Sequence, residues 1–407
     1  MSVTSNSVLI IGAGAAGLTV AETLRHRAPE TSVTILGDEP GPPIDRPPLS
    51  KDVLSGAWAP EKARLLSERR LEGLGARLLT GRRARELDMA SKAVTTDDGA
   101  KHSYDALVIA TGVQPRVFPA PDLASVHVLR TLEDSLRLQQ DLRPGARLVI
   151  LGAGFLGLEA AATACAMGVD VTVVESTLTP LASRVGPLCA TRLLELHRKA
   201  GVRILTGREV ESIVGEDPPP PPPYLGSSGE PRRPSAVREV RLVDGTQLEA
   251  ECVLVSIGCV PQLEWLVGSG IDLDDGIVCD EYCRAAPGVW AAGDIARWLH
   301  VGLGRHVRLE HRTNATEQGR AVALDILGVG NPYTPIPFFW TTQHGATIQV
   351  AGTIPKDASV DVIEGDANSD SFIAAASIGK EVVGVIAWNA ARRMPHYRLE
   401  LAKRFQY

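Results

Sequence analysis

One strand–turn–helix pattern occurs twice in this chain. Val8-Leu9-Ile10-Ile11-Gly12-Ala13-Gly14-Ala15-Ala16-Gly17-Leu18 is matched by Leu148-Val149-Ile150-Leu151-Gly152-Ala153-Gly154-Phe155-Leu156-Gly157-Leu158. Each copy is a short apolar run, then G-x-G-x-x-G, then an Ala-rich helical stretch. A lone glycine motif says little, but this context is the one the mechanism needs. The glycines let the backbone approach a pyrophosphate, and the helix start faces it with free N–H groups and partial positive charge. A second β-run follows each copy, Ser32 to Leu36 and Val169 to Val174.

Each copy also closes alike. Tyr104 to Gly112, ending Ala110-Thr111-Gly112, reads as a buried strand running into a glycine, and so does Cys252 to Gly258. The chain therefore holds two nucleotide-binding units, the second inserted near residue 114. Val289 to Asp294, with Gly293-Asp294 at its corner, returns to the first unit, and a helix is expected over Asn314 to Leu327. From Pro332 the texture becomes β-rich, with strands expected at Ile348 to Val350, Val360 to Ile363, Phe372 to Ala376 and Val382 to Trp388. The fold class is α/β: two Rossmann-like dinucleotide-binding domains plus a C-terminal α+β domain. The boundaries fall at 1–113 with 249–327, at 114–248, and at 328–407. The six prolines Pro218 to Pro223 open a stretch reaching Pro234 that reads as an extended loop between two strands, Glu209 to Val214 and Val237 to Val243.

The end of the second β-run should carry an acidic residue for a ribose. In the second unit this is Glu175, which accepts from a 2′-hydroxyl and repels a 2′-phosphate, so NADH is favoured over NADPH. Arg184, nine residues on, works against that preference. In the first unit Gly37 occupies the equivalent position, and Asp38 or Glu39 must serve. Composition narrows the remaining classes. A net charge of −6 speaks against a general nucleic-acid or anionic-membrane binder. No stretch is long and apolar enough to span a bilayer, and no Lys or Arg precedes Arg25 to form a signal-peptide n-region. Cys165, Cys189, Cys252, Cys259, Cys279 and Cys283 form no C-x-x-C, so neither a disulfide framework nor a zinc site is expected, which suits a cytoplasmic protein. None precedes residue 165, which argues against flavin–disulfide chemistry near the first strand pair.

Both glycine motifs, Arg46-Pro47-Pro48-Leu49-Ser50-Lys51, Ala110-Thr111-Gly112, Ala292-Gly293-Asp294 and Phe339-Trp340-x-x-Gln343 fall in an order that resembles the NADH-dependent ferredoxin reductases of oxygenase systems. That group includes putidaredoxin reductase, rubredoxin reductase and the reductase component of biphenyl-type dioxygenases. The resemblance runs from about Val8 to Leu401. It implies non-covalent FAD in the first unit, NADH in the second, and a small [2Fe-2S] ferredoxin as partner, with the oligomeric state open between monomer and dimer. By this resemblance Lys51 would lie near the flavin, paired with Glu159. Asp294 would bind the ribityl chain, the helix near Asn314 would point its N-terminus at the pyrimidine end, and Trp340 would approach the ring. Ser50 is read as a helix cap. The chain departs from the pattern at Glu310-His311-Arg312, where relatives often carry an aromatic. Hydride transfer needs no general base, so His311 is read as structural. An acidic ferredoxin would need a local basic patch, with Arg305, Arg308, Arg312, Arg392 and Arg393 as candidates.

Overall fold

The computed structural model describes residues 7–120, 123–216 and 235–403. The prolines from Pro218 to Pro234 lie outside these residues. Seven helices are present among them: α1 Ala15–Arg27, α2 Glu68–Gly73, α3 Leu132–Asp141, α4 Phe155–Ala166, α5 Ala182–Lys199, α6 Arg312–Ile326 and α7 Met394–Ala402.

The apolar runs become the central strands of two sheets. In the first, Ser7–Ile11 pairs in parallel with Ser32–Leu36 on one side and Ala106–Ile109 on the other. Val289–Ala291 then adds to Ala106–Ile109, so the returning chain completes the sheet that the N-terminus began. In the second, Arg147–Leu151 pairs in parallel with Asp170–Glu175 and Cys252–Val255. Strands covered on both faces need no polar alternation, and Ala106–Ile109 and Cys252–Val255 are buried along their whole length. Val113–Pro115 and Cys259–Pro261, an antiparallel pair, bridge the two units.

The C-terminal part is a five-stranded antiparallel sheet in the order Phe338–Gln343, Ala346–Gly352, Glu381–Trp388, Phe372–Ile378, Ser359–Gly365, with α7 beside it. It contains all four expected strands, plus Phe338–Gln343. Its Ile348, Phe372 and Trp388 share one core with Leu158, Leu193 and Leu254 of the second unit and with Leu49 and Leu54 of the first. Arg192 of α5 reinforces that seam, its guanidinium donating to Ser369 O at 2.6 Å and lying 4.9 Å from the Trp388 ring centroid. The strands flanking the proline stretch, Val210–Gly215 and Val237–Leu242, pair antiparallel as expected. The helix expected from Asn314 begins two residues earlier, with His311 at its N-cap.

Candidate functional site

The glycine turns are built by steric necessity. Gly12 has φ +115°, and a Cβ there would meet Ala110 O at 2.2 Å; one on Gly17 would meet Gly12 O at 2.0 Å. Gly152 and Gly157 repeat both contacts in the second unit, against Ser256 O and Gly152 O. The middle glycines differ: in front of Gly14 and Gly154 there is nothing within 4 Å. These two cap α1 and α4 without any side-chain bond to the first-turn amides. A backbone cradle with open space and uncapped N–H groups fits a pyrophosphate at each turn.

One cleft of about 1100 Å³ is walled by both turns and by Phe339 and Trp340 of the C-terminal sheet. That exceeds the ~300–1,000 Å³ of an ordinary small-ligand pocket. Gly12, Gly14, Ala15, Ala16, Asp38, Glu39, Arg46, Lys51, Ala110, Thr111, Gly112, Gly154, Phe155, Leu156, Glu159, Arg184, Gly258, Gly293, Asp294 and Trp340 all line it. Gly17, Gly152, Gly157, Asn314 and Glu175 do not. The three glycines serve the packing described above. Asn314 is buried beneath, where its side chain bonds Leu309 O at 3.3 Å and accepts from Tyr333 Oη at 3.1 Å. Glu175 ends its strand beside the second turn, accepting from Ala153 N and Thr177 N at 2.8 Å each.

Lys51 and Glu159 form an ion pair on the cleft wall, with Lys51 Nζ also 3.2 Å from Pro47 O. Ser50 is not a helix cap. It ends a 3-10 turn over Pro47–Ser50, and its hydroxyl instead donates to Glu159 Oε2 at 2.7 Å. The turn is held from the second unit as well: Ser135 Oγ donates to Leu49 O, Gln139 Nε2 to Val53 O and Leu54 O, and Thr163 Oγ1 to Ser50 O. Arg46 pairs with Glu39 at 2.7 Å, while Asp38 meets Arg83 at 3.3 Å.

Sequence reasoning missed Arg130. It reaches the cleft next to Asp294, with Nη1 3.8 Å from Oδ2. Burial pushes the Asp294 carboxyl up, and Arg130 at this distance only partly opposes it; burial and neighbouring Arg46 lower the Arg130 guanidinium. Thr111 Oγ1 and His311 Nδ1, both buried in residues of the cleft wall, have no hydrogen-bond partner among the described residues. Orphaned polar atoms of this kind are what a polar ligand would satisfy. Burial, with Arg184 nearby, holds the His311 imidazole at about 4, hence neutral. Cys259, the one cysteine on the wall, has its thiol pushed up to about 12 by burial and Glu310. Elsewhere, His127, Asp141 and Cys252 bring their ligand-type atoms within 4.8 Å of one another, with His127 Nε2 bonded to Asp141 Oδ2 at 2.7 Å. Among the described residues no helix is long and apolar enough to cross a membrane.

Two family models cover the chain: "pyridine nucleotide-disulphide oxidoreductase" matches residues 6–319 and "reductase C-terminal" matches residues 338–406. Rhodocoxin reductase of Rhodococcus erythropolis is 32% identical, over 95% of this chain and 87% of its own. The ferredoxin–NAD(+) reductase component of the biphenyl dioxygenase system of Paraburkholderia xenovorans is 33% identical, over 89% and 85%. The crystal structure of the ferredoxin reductase for the CYP199A2 system from Rhodopseudomonas palustris superposes with a TM-score of 0.89 at 30% identity, covering 97% of this chain and 95% of that one. With both glycine turns on one cleft and a C-terminal sheet closing it, the chain belongs to the pyridine nucleotide-disulphide oxidoreductase family, in the ferredoxin reductase branch that carries a reductase C-terminal domain.

Proposed function

We propose that the protein is an NADH-dependent reductase that passes electrons through FAD to a small [2Fe-2S] ferredoxin serving an oxygenase, either a P450 or a Rieske dioxygenase. The observation that carries this reading is the Lys51–Glu159 ion pair on a cleft shared by both glycine turns and Trp340. Relatives named for both kinds of system support it. Residues 1–113 with 249–327 would form the FAD domain, 114–248 the NAD domain and 328–407 the interface domain. A cytoplasmic location fits six free cysteines with no disulfide among them.

The Gly12–Gly17 turn would hold the FAD pyrophosphate, with Asp38 or Glu39 at the ribose and Asp294 and Arg130 along the linking chain. Bound FAD supplies the conversion between a two-electron hydride and single electrons. The protein supplies position and charge. Glu159 fixes the Lys51 ammonium at the wall, where its positive field favours negative charge arriving in the cleft. The N-terminus of α6 adds partial positive charge from a second side. The Gly152–Gly157 turn and Glu175 would hold NADH. Neutral His311 is a lining group with no proton to abstract in hydride transfer.

Disulfide reduction on this scaffold needs a thiolate beside the flavin. The single cysteine on the cleft wall is held protonated, and no second thiol accompanies it there. The test is reduction of cytochrome c by purified protein with NADH and a panel of small [2Fe-2S] ferredoxins. Ferredoxin-dependent turnover is expected. Flavin reduction without turnover by any ferredoxin would instead favour a small-molecule acceptor or a scaffold role. Acid precipitation should release all the flavin; colour retained in the pellet would contradict non-covalent binding.

A further inference from the structure

The Glu159 carboxylate receives more than Lys51 and Ser50. Its other oxygen, Oε1, accepts from Thr341 Oγ1 at 2.7 Å, and Thr341 accepts from Gln343 Nε2 at 2.9 Å. Gln343 Oε1 lies 2.7 Å from His197 Nε2, and His197 Nδ1 lies 3.0 Å from His344 Nε2. The row is one-way. An amide oxygen only accepts, so His197 must carry its proton on Nε2. Its bare Nδ1 then accepts from His344. Each donor points toward Glu159. Reversing the Gln343 amide would turn the Thr341 hydroxyl back on it and leave Oε1 without a donor.

Two further observations support a built device. His197 is wholly buried, and burial holds its imidazole at about 4, so the neutral form the row requires persists at neutral pH. His344 sits at φ +47° beside Gly345 at +77°, in the two-residue loop joining Phe338–Gln343 to Ala346–Gly352. Such turns favour Asn-Gly, and a histidine there carries backbone strain. Its ring nevertheless packs edge-on against His197, centroids 4.4 Å apart.

We infer that Thr341, Gln343 and His197 are positioning residues through which the C-terminal sheet fixes the Glu159 carboxylate and so sets how much of the Lys51 charge faces the cleft. The inference rests on the reading that the flavin lies against Lys51. Thr341 holds Oε1 away from the ammonium. Without that donor the buried carboxylate turns both oxygens to Lys51 and Ser50, and the ammonium is drawn back from the cleft. Adding negative charge there then becomes harder. Hydrogen bonds of such rows strengthen one another, so loss of a distant link acts in the same direction but more weakly.

The experiment measures the flavin midpoint potential and stopped-flow reduction by NADH in Thr341→Val, Thr341→Ser and Gln343→Leu holoproteins. Thr341→Val is expected to shift the two-electron equilibrium about tenfold toward oxidised flavin, or ~30 mV. It should slow the limiting reduction rate and leave the NADH Kd unchanged. Thr341→Ser, which restores the hydroxyl, should match wild type, and Gln343→Leu should fall between. Should Thr341→Val fail to fold, Gln343→Leu against wild type carries the test. Wild-type potentials in Thr341→Val and Gln343→Leu would overturn the inference, as would Thr341→Ser behaving like Thr341→Val. A wild-type protein that binds no flavin, or whose flavin NADH does not reduce, would instead overturn the proposed function.

Discussion

At the residue scale the site rests on a few charges placed by distant parts of the chain. Replacing Lys51 with Met keeps the stem and removes the ammonium. Flavin should stay bound while its reduction by NADH slows about tenfold, equivalent to ~1.4 kcal/mol; an unchanged stopped-flow rate would return Lys51 to an ordinary wall residue. Glu175 is anchored by the Ala153 amide of the second glycine turn and by the Thr177 amide two residues on, so its carboxylate is fixed before any ligand arrives. Glu175→Ala should narrow the preference for NADH over NADPH by about tenfold to a hundredfold, at ~1.4 kcal/mol per tenfold. A wild type that already prefers NADPH would defeat that assignment. Placements were legible in the sequence where a local motif carried them, as with Gly12 and Gly154 at the two turns and Glu175 at the end of its strand. Arg130 belongs to no motif. Asp38 and Glu39 both line the cleft, each paired with a different arginine, so the ribose partner stays open between them.

At the element scale, uniform apolar runs announced the parallel strands because a strand covered on both faces has no reason to alternate. Phe338–Gln343 defeated the same reading. Its inward positions are Thr341 and Gln343, and Trp340 faces out, so the polarity runs opposite to an amphipathic strand. Those inward polar groups bond each other and, beyond the strand, Glu159 of α4 and His197 of α5, far away in sequence. Helix packing also depends on detail that patterns do not show. In α6, a Cβ on Gly319 would meet Ala16 O of α1 at 2.5 Å, so these two helices cross on a glycine. Gly319→Ala should force them apart, costing about 1–3 kcal/mol as overpacking. Urea unfolding would register the loss, and flavin should wash out of the variant more readily. Stability equal to wild type would mean that α1 and α6 can separate freely.

At the scale of the whole molecule, partner recognition must work against a net charge of −6. Of the five arginines considered for an acidic ferredoxin, three are engaged internally: Arg308 with Asp275 and Glu310, Arg312 with Asp45, and Arg393 with Glu364. Arg305 and Arg392 are exposed and have no carboxylate partner within 4.0 Å among the described residues. Their charge is open to a partner, though screened beyond about 8 Å at physiological ionic strength. Added salt should therefore raise the KM for ferredoxin while the NADH half-reaction barely changes. Arg392→Gln should weaken that salt dependence more than Arg393→Gln. Equal salt sensitivity of both half-reactions would rule out electrostatic steering of the partner.

The way the first sheet closes has a consequence for how the protein is made. Ala106–Ile109 stays an open edge until Val289–Ala291 arrives, roughly 180 residues later. The Pro47–Ser50 turn likewise waits for α3 and α4. At the ~5–20 residues per second of a working ribosome, the gap lasts on the order of ten to forty seconds. Throughout that interval the nascent N-terminal sheet shows an open edge, and for the first part of it an unfinished turn. Flavin capture therefore belongs after most of the chain has emerged, and until then the open edge is a template on which a neighbouring chain can pair.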